Sequence, residues 1–231
     1  TIMPREYTQL AERPIRIEQA VKVGDAASFL AYHALYSDQN SRAFADRDSN
    51  SIRAVLDYHE AEDKAARFGK HTVTLALRHT EEWQKWTKNN GKAMEQSEFA
   101  EFIEENAPDI VEPSAAAMME MATTLQATTD VQFKKAVNLQ SGEVQLRYEE
   151  NINGRFGKGE AVIPKSFKIS IPVYDGQDPV QIEAMFRFRI RGEKLTLWYQ
   201  LLHLDRWKRE AFNAVVKEIA AGGVSVFNGS L

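Results

Sequence analysis

"VQIEAMFRFRIRGEKLTLWYQLLHL" (residues 180–204) is the stretch that decides the fold, because large apolar residues alternate with polar ones on both sides of Gly192-Glu193. Alternation with a period of two predicts two half-buried strands, and a two-residue turn predicts an antiparallel hairpin. This register brings both apolar sets onto one face of the hairpin. The opposed pairs are Phe186 with Tyr199, Phe188 with Leu197, and Ile190 with Leu195.

The other face of the hairpin carries three arginines, Arg187, Arg189 and Arg191, which we call the arginine row. The same register places Arg187 opposite Trp198 and Arg189 opposite Thr196. An arginine over an indole ring gains about 0.5–1 kcal/mol at an exposed site, so we expect Arg187 to pair with Trp198. Because this face is half basic and half apolar, we expect it to contact another part of the chain, another subunit or an unstacked base.

Three interpretations of the arginine row and Trp198 remain open. Arginine and aromatic residues are enriched at protein interfaces, which favours contact with another subunit. Carboxylates on or beside another predicted strand, at Glu143, Glu149 and Glu150, are possible partners within the chain. Single-strand binders also interleave aromatic and basic residues, which favours a nucleic acid. The total charge of −4 weakens this third interpretation.

Periodicity elsewhere in the chain predicts more hairpins and several helices. Alternating segments cover residues 51–60, 70–80, 143–151 and 166–176, and we expect the hairpin over 51–80 to join the C-terminal sheet. Helical stripes cover 25–36 with Asp25 as cap, 97–110 with Ser97 as cap, 114–126, and a last segment from Asp205 as cap to Gly222-Gly223. The fold class is therefore α+β, with antiparallel sheets built from hairpins and packed helices in the middle and at the C-terminus.

Local composition predicts the remaining segments. Trp83 and Trp86 lie one helical turn apart and are expected to pack inward. The glycine-rich "NGRFGKGE" (153–160) predicts a flexible loop between strands, and the tail after Gly223 predicts a frayed end or an arm.

The length and composition are typical of a water-soluble globular chain, and its charge is unevenly distributed along the sequence. With 43% hydrophobic residues among 231, we expect a single α+β domain over 1–231. Residues 1–133 carry a net charge of −8 and residues 134–231 a net charge of +4, so identical copies can meet acidic face to basic face. The chain has no cysteine, no signal-peptide pattern and no apolar run of about 20 residues. We expect a cytoplasmic protein without a membrane partner.

The sequence contains only weak motifs for metal binding or catalysis. No two of the five histidines have the spacing of an HxH, HxxxH or HExxH metal site. The best metal candidate is His59 with Glu60 and Glu62 in "DYHEAED" (57–63), and a charged hairpin loop explains these residues equally well. The sequence contains no phosphate-binding loop or nucleophile motif in an interpretable context. We therefore expect no metal, no cofactor and no enzymatic activity.

Several segments together resemble a known family. They are "AVLDYHE", "HTVTLALRHTEEWQKW", "SEFAEFIEENAPDI", "FKISIPVYDG" and "RFRIRGEKLTLWYQL", which span about residues 50 to 220. In this order they resemble the uncharacterised phage and prophage family typified by the YfdQ protein of enterobacterial prophages. The resemblance implies a phage-encoded protein in a bacterial cytoplasm. It also implies a genetic context of early DNA-metabolism functions, and it transfers no catalytic residue.

Two functions follow from these observations as expectations. The first is a non-enzymatic protein that assembles with itself into a ring, cage or shell, since the two halves have opposite charge and the arginine row lies beside Trp198. The second is a single-stranded DNA binding or annealing accessory that uses the arginine row and Trp198, with Lys134, Lys135, Lys165 and Lys168 on the same basic half. An inhibitor of a host protein would use the same surface as the first function.

Overall fold

A computed structural model describes residues 16–127, 132–152, 155–191 and 194–231 of the chain. Its helices in these ranges are α1 (Ala26–Tyr36), α2 (Glu81–Lys88), α3 (Gln96–Glu105), α4 (Ala115–Ala127) and α5 (Leu204–Ala221), with a short 3-10 helix at Ala107–Asp109. Its strands are β1 (Ala20–Val23), β2 (Arg42–Asp46), β3 (Ser51–Val55), β4 (Thr72–Ala76), β5 (Met94–Glu95), β6 (Ile110–Glu112), β7 (Gln132–Asn138), β8 (Glu143–Ile152), β9 (Arg155–Pro164), β10 (Ser166–Ile171), β11 (Val180–Arg191), β12 (Lys194–Leu201) and β13 (Val226–Asn228). The α+β prediction is confirmed.

These elements form two compact units. The first unit comprises residues up to Arg78 together with Lys208–Leu231, and the second comprises His79–Trp207. The change from acidic to basic composition at residues 133/134 falls inside the second unit. The expected single domain over 1–231 stays a prediction. None of the helices in the described part of the chain has both the length and the apolar character needed to cross a bilayer.

The first unit contains a five-stranded sheet of order β1-β4-β3-β2-β13. The predicted hairpin is present as β3 and β4, which pair antiparallel, and its core includes the fully buried Ile52, Val73 and Leu75. The expectation that this hairpin joins the C-terminal sheet is wrong. Its neighbours are β1, which pairs parallel with β4, and β2, which pairs antiparallel with β3.

The C-terminal tail is part of this first sheet. β13 pairs parallel with β2, and Ala43 N–H donates to the Ser225 carbonyl at 2.9 Å. The prediction of a frayed tail or arm is therefore wrong for residues 226–228. The reason is that β2 offers an edge of backbone hydrogen-bonding groups, which a short extended segment satisfies whatever its side chains.

The second unit contains two sheets, of orders β5-β12-β11-β10-β6 and β7-β8-β9. Helix α3 lies on the apolar face of the larger sheet, with the Phe99 and Phe186 ring centroids 5.0 Å apart and those of Phe102 and Tyr199 5.6 Å apart. Trp83 and Trp86 of α2 are 4% and 0% exposed, as predicted. The aromatic residues of α2 and α3 therefore fill the core behind β11 and β12.

One helix of the second unit differs in detail from the prediction, and another agrees with it. Helix α3 begins at Gln96, and its N-cap residue Glu95 makes no side-chain capping bond, so Ser97 is not the cap. Helix α4 has the helical stripe predicted over 114–126, and this stripe is its buried side. Its buried residues are Met118, Met121, Ala122 and Leu125.

The glycine-rich segment predicted as a flexible loop belongs to a strand from Arg155 onward. β9 pairs antiparallel with β8 along ten consecutive residue pairs, from Ile152↔Arg155 to Glu143↔Pro164. A Cβ on Gly159 would lie 2.3 Å from Cζ of Tyr148, so the Tyr148 ring covers this glycine across the strands. The glycine therefore makes room for an aromatic ring on the neighbouring strand.

Helix α5 agrees with the prediction at its end and differs at its start. It begins at Leu204, which puts Asp205 in the first turn rather than at the cap. It ends at the expected glycines, and Gly223 has φ +88°, a conformation that glycine adopts at little cost. A Cβ on Gly222 would lie 2.4 Å from Cδ2 of Leu30, so the first glycine allows close packing on α1.

Candidate interaction surface

The hairpin of β11 and β12 forms with the predicted register. The observed pairs are Phe186↔Tyr199, Arg187↔Trp198, Phe188↔Leu197, Arg189↔Thr196 and Ile190↔Leu195. Phe186, Leu195, Leu197 and Tyr199 are at most 5% exposed, so the inner face is the core face. A slip of either strand by one residue would turn its buried apolar residues to the outer face, which explains why the apolar pattern predicted the register. The predicted turn residues, Gly192 and Glu193, lie outside the described residues.

On its β11 side, the distal part of this hairpin extends past the neighbouring strand β10. β10 pairs with β11 only as far as Ser166↔Met185, and Phe186 N–H then donates to the Lys165 carbonyl at 2.9 Å. Residues 187–191 and 194–198 pair with each other, and we call this part of the hairpin the ribbon. On its β12 side it borders β5, where Thr196 pairs with Glu95 and Leu197 with Met94. In the described part of the chain, no strand lies beside the β10-facing edge of residues 187–191. An edge of this kind is open to contacts with another molecule.

The arginine row lies on the outer face of the ribbon, and all three side chains are exposed. The Arg189 guanidinium lies over the Trp198 ring at 5.6 Å from its centroid. The expected pairing of Arg187 with Trp198 is therefore wrong: the stacking runs diagonally, because a long side chain reaches past its directly opposed residue. Trp198 itself is half-buried.

The arginine row has no carboxylate partner within the described residues. No ion pair within 4.0 Å joins any of the three guanidiniums to an acidic side chain. Glu143 instead accepts a hydrogen bond from the Ser141 hydroxyl at 2.8 Å, and Glu149 lies in β8 opposite Gln132 and Lys158. The side chain of Glu150 lies outside the described residues. The internal partners considered from the sequence are therefore not observed for Glu143 and Glu149.

The weak metal candidate lies in the loop between β3 and β4. His59 Nδ1 accepts the Arg67 backbone N–H at 3.2 Å, and Asp57 accepts the backbone N–H groups of Lys70 and His71 at 3.1 and 2.9 Å. These bonds stabilise the loop. Across the described ranges, no three histidine or acidic residues lie close enough together to hold an ion, and this includes His59, Glu60 and Glu62.

Buried polar groups of the second unit hold its core together. The Trp86 indole N–H donates to Asp109 Oδ2 at 2.7 Å, and the Tyr199 hydroxyl donates to the Trp86 carbonyl at 2.6 Å. Burial raises the pKa of Asp109, and the bond from Trp86 opposes that rise. Burial also raises the pKa of Tyr174 to about 12. These shifts have structural causes and do not by themselves indicate catalysis.

A second charged surface lies on α3 and was not singled out from the sequence. Glu98, Glu101 and Glu105, three and four residues apart, lie on one exposed side of the helix. Half-buried Glu104 lies beside them, and we call these four residues the acidic stripe. The feature that could have identified it is composition: residues 93–133 contain nine acidic residues and no lysine or arginine.

A comparison with known protein families assigns the chain to one of them. The chain matches, over residues 5–231, the family described as "Uncharacterized conserved protein (DUF2303)", and it belongs to that family. No curated protein and no solved structure matches the chain significantly. The resemblance to an uncharacterised family is therefore confirmed, while phage origin and the likeness to YfdQ stay predictions.

Proposed function

We propose that this member of the DUF2303 family is a non-enzymatic protein encoded by a phage or prophage, whose copies assemble into a ring, cage or shell. The observation that carries the proposal is the outer face of the ribbon. Three exposed guanidiniums there lack a carboxylate partner in the described chain, and a half-buried tryptophan lies among them. Arginine and tryptophan are enriched where protein surfaces meet, so this face suits a second copy.

A second surface of the same unit also supports assembly. The outward side of α4 exposes Ala116, Ala117, Met119 and Thr123, and it carries only one charged residue, Glu120. A solvated helix face of this length normally carries several charges. Small residues and methionine allow close and adaptable packing, so this side of α4 suits contact with another protein surface.

The alternative function is binding or annealing of single-stranded DNA in phage recombination or replication. The row of three arginines favours it, because each guanidinium can contact a phosphate. The ribbon, however, offers bases only one aromatic ring on its outer face, since Phe186 and Phe188 point to the inner face. Lys168 on the same basic half is paired with Glu112 at 2.6 Å. Self-assembly is therefore the better-supported function.

The test is the absolute mass of nuclease-treated protein by light scattering coupled to size exclusion, with the 260/280 nm absorbance ratio recorded across the peak. We expect a species of several subunits with a protein-like ratio. Replacing all three residues of the arginine row by alanine should shift the mass toward the monomer. The control triple variant, Lys22→Ala, Arg47→Ala and Arg53→Ala, removes three exposed cations of the first unit and should leave the mass unchanged.

Other outcomes decide against assembly. A strictly monomeric particle at every concentration tested contradicts self-assembly. If untreated protein instead elutes as a small species whose bound nucleic acid is removed by salt, DNA binding becomes the better account. The triple alanine variant should then weaken DNA binding and flatten the dependence of log K on log salt by about 2, since each single-strand phosphate contact contributes about 0.7.

A further inference from the structure

Resting on the proposed self-assembly, we propose that the arginine row of one copy binds the acidic stripe on α3 of the next copy. The proposal names both surfaces of the contact and its direction. Both surfaces belong to the second unit, so the contact is defined by residues 79–207 alone.

The acidic stripe can supply the carboxylates that the arginine row lacks, because most of its own negative charge is not neutralised by a cation among the described residues. Glu98 pairs with Lys92 at 2.8 Å, whereas Glu101, Glu104 and Glu105 have no cation within 4.0 Å among the described residues. Four like charges on two turns of helix repel one another, and residues 93–133 contain no lysine or arginine. An external cationic surface would relieve that repulsion.

Three other acidic groups of this unit have a cation close by in space or in sequence. Glu160 pairs with Arg147 at 3.3 Å, and Glu112 pairs with Lys168 at 2.6 Å. Glu81 on α2 has Lys85 four residues later, the spacing at which opposite charges attract on a helix. Compared with these groups, the acidic stripe is the better match in charge for the arginine row, which has no carboxylate partner among the described residues.

The two surfaces also match in length. Alternate residues of a strand are about 6.6 Å apart, so the arginine row spans about 13 Å from Arg187 to Arg191. Seven residues of helix rise about 10.5 Å, which is the span from Glu98 to Glu105. The difference lies well within the reach of flexible arginine and glutamate side chains, so each guanidinium can contact a carboxylate.

The contact must join different copies, because the two surfaces lie on opposite faces of one sheet. Helix α3 packs on the inner face through Phe99 and Phe102, whereas the arginine row projects from the outer face. A contact between two different surfaces is head-to-tail, and its repetition builds a closed ring or an open filament rather than a twofold dimer. This directionality agrees with the proposed ring, cage or shell.

Charge reversal tests the contact. The row variant carries Arg187→Glu and Arg189→Glu, and the stripe variant carries Glu101→Lys and Glu105→Lys. Each alone places like charges together, so the concentration at which the assembly half-dissociates should rise by about a hundredfold or more. A chain with all four substitutions should assemble again, and so should an equimolar mixture of the two variants, since each then supplies the surface that the other lacks.

A control variant and a check of folding distinguish failure of the proposed self-assembly from failure of this particular contact. The variant Glu60→Lys and Glu62→Lys makes an equal charge change in the loop of the first unit and should assemble normally, and far-UV circular dichroism checks that every variant is folded. Wild-type protein that never assembles overturns the proposed function and this contact with it. Two results would overturn the contact alone, provided that the wild-type protein assembles. In the first, the row variant and the stripe variant each assemble like the wild type. In the second, neither the chain with all four substitutions nor the mixture recovers assembly.

Discussion

Replacing Trp86 by phenylalanine should destabilise the second unit by about 2.5–5 kcal/mol, a large part of the roughly 5–15 kcal/mol that holds a typical domain folded. Trp86 is 0% exposed. Its ring centroid lies 5.0 Å from that of Phe102, 5.2 Å from that of Tyr199 and 5.8 Å from that of Phe167. This residue therefore joins α2, α3 and the larger sheet in one core.

The magnitude has two parts. The indole N–H donates to Asp109 Oδ2 at 2.7 Å, and a hydrogen bond to a charged group contributes about 1.5–3 kcal/mol. Phenylalanine lacks the second ring of the indole, and the space left in a rigid core costs about 1–2 kcal/mol more. The half-buried carboxylate of Asp109 also loses a bond that lowers its pKa, so the pKa should rise further in the variant.

Tryptophan fluorescence during urea unfolding measures this effect in the right unit, because all four tryptophans of the chain lie between residues 79 and 207. Protein concentration must be held fixed, since assembly stabilises the folded state. Asp109→Ala, alone and combined with Trp86→Phe, isolates the hydrogen bond through a double-mutant cycle. A total loss below about 1.5 kcal/mol, or a coupling below about 0.5 kcal/mol, would refute the reasoning.

Three further outcomes follow from the described contacts. Gly159→Ala should cost about 1–3 kcal/mol in urea unfolding because its Cβ meets the Tyr148 ring, and the cost should disappear in a Tyr148→Ala background; an unchanged cost there contradicts the clash. Thr80→Ala removes the buried hydroxyl that caps α2 and should cost about 1–2 kcal/mol, whereas Thr80→Ser should retain most of the stability; equal losses would mean that the hydroxyl is unimportant. Burial lowers the pKa of His33 and His71 below 6.5, so the unfolded chain binds more protons and the free energy of unfolding should fall as pH drops below about 6.5. Circular dichroism should show a flatter pH dependence for His33→Gln, and an identical profile contradicts this assignment.

The candidate surface was partly predictable from the sequence. The alternation around the turn predicted the register of β11 and β12, and so placed the arginine row on the outer face. It did not predict that Arg189, rather than Arg187, lies over Trp198, because the direction of a long side chain depends on rotamers that periodicity does not encode. The acidic stripe was visible as a segment without lysine or arginine, but its exposure depends on how α3 packs.

The glycine content of β9 led to a wrong prediction of this segment from the sequence. A glycine-rich composition normally favours a loop, since glycine has no side chain to pack and loses the most backbone entropy on folding. Here Tyr148 on the paired strand covers Gly159, so the missing side chain is replaced by a neighbour's ring. That compensation comes from a contact across strands, and composition cannot reveal it.

The sequence by itself determined the elements whose residues have a clear period, which are the strands β3, β4, β8, β10, β11 and β12 and the helices α1, α3, α4 and α5, because periodicity follows from residue spacing within one element. It thereby placed Phe186 and Tyr199 inside and the arginine row outside. Tertiary structure alone decided that β13 pairs with β2, that β10 stops at Met185, and that α3 covers the inner face of the sheet opposite the arginine row. The physical reason is that strand edges recognise one another through backbone groups common to all residues, so partners far apart in the chain leave little trace in the side chains.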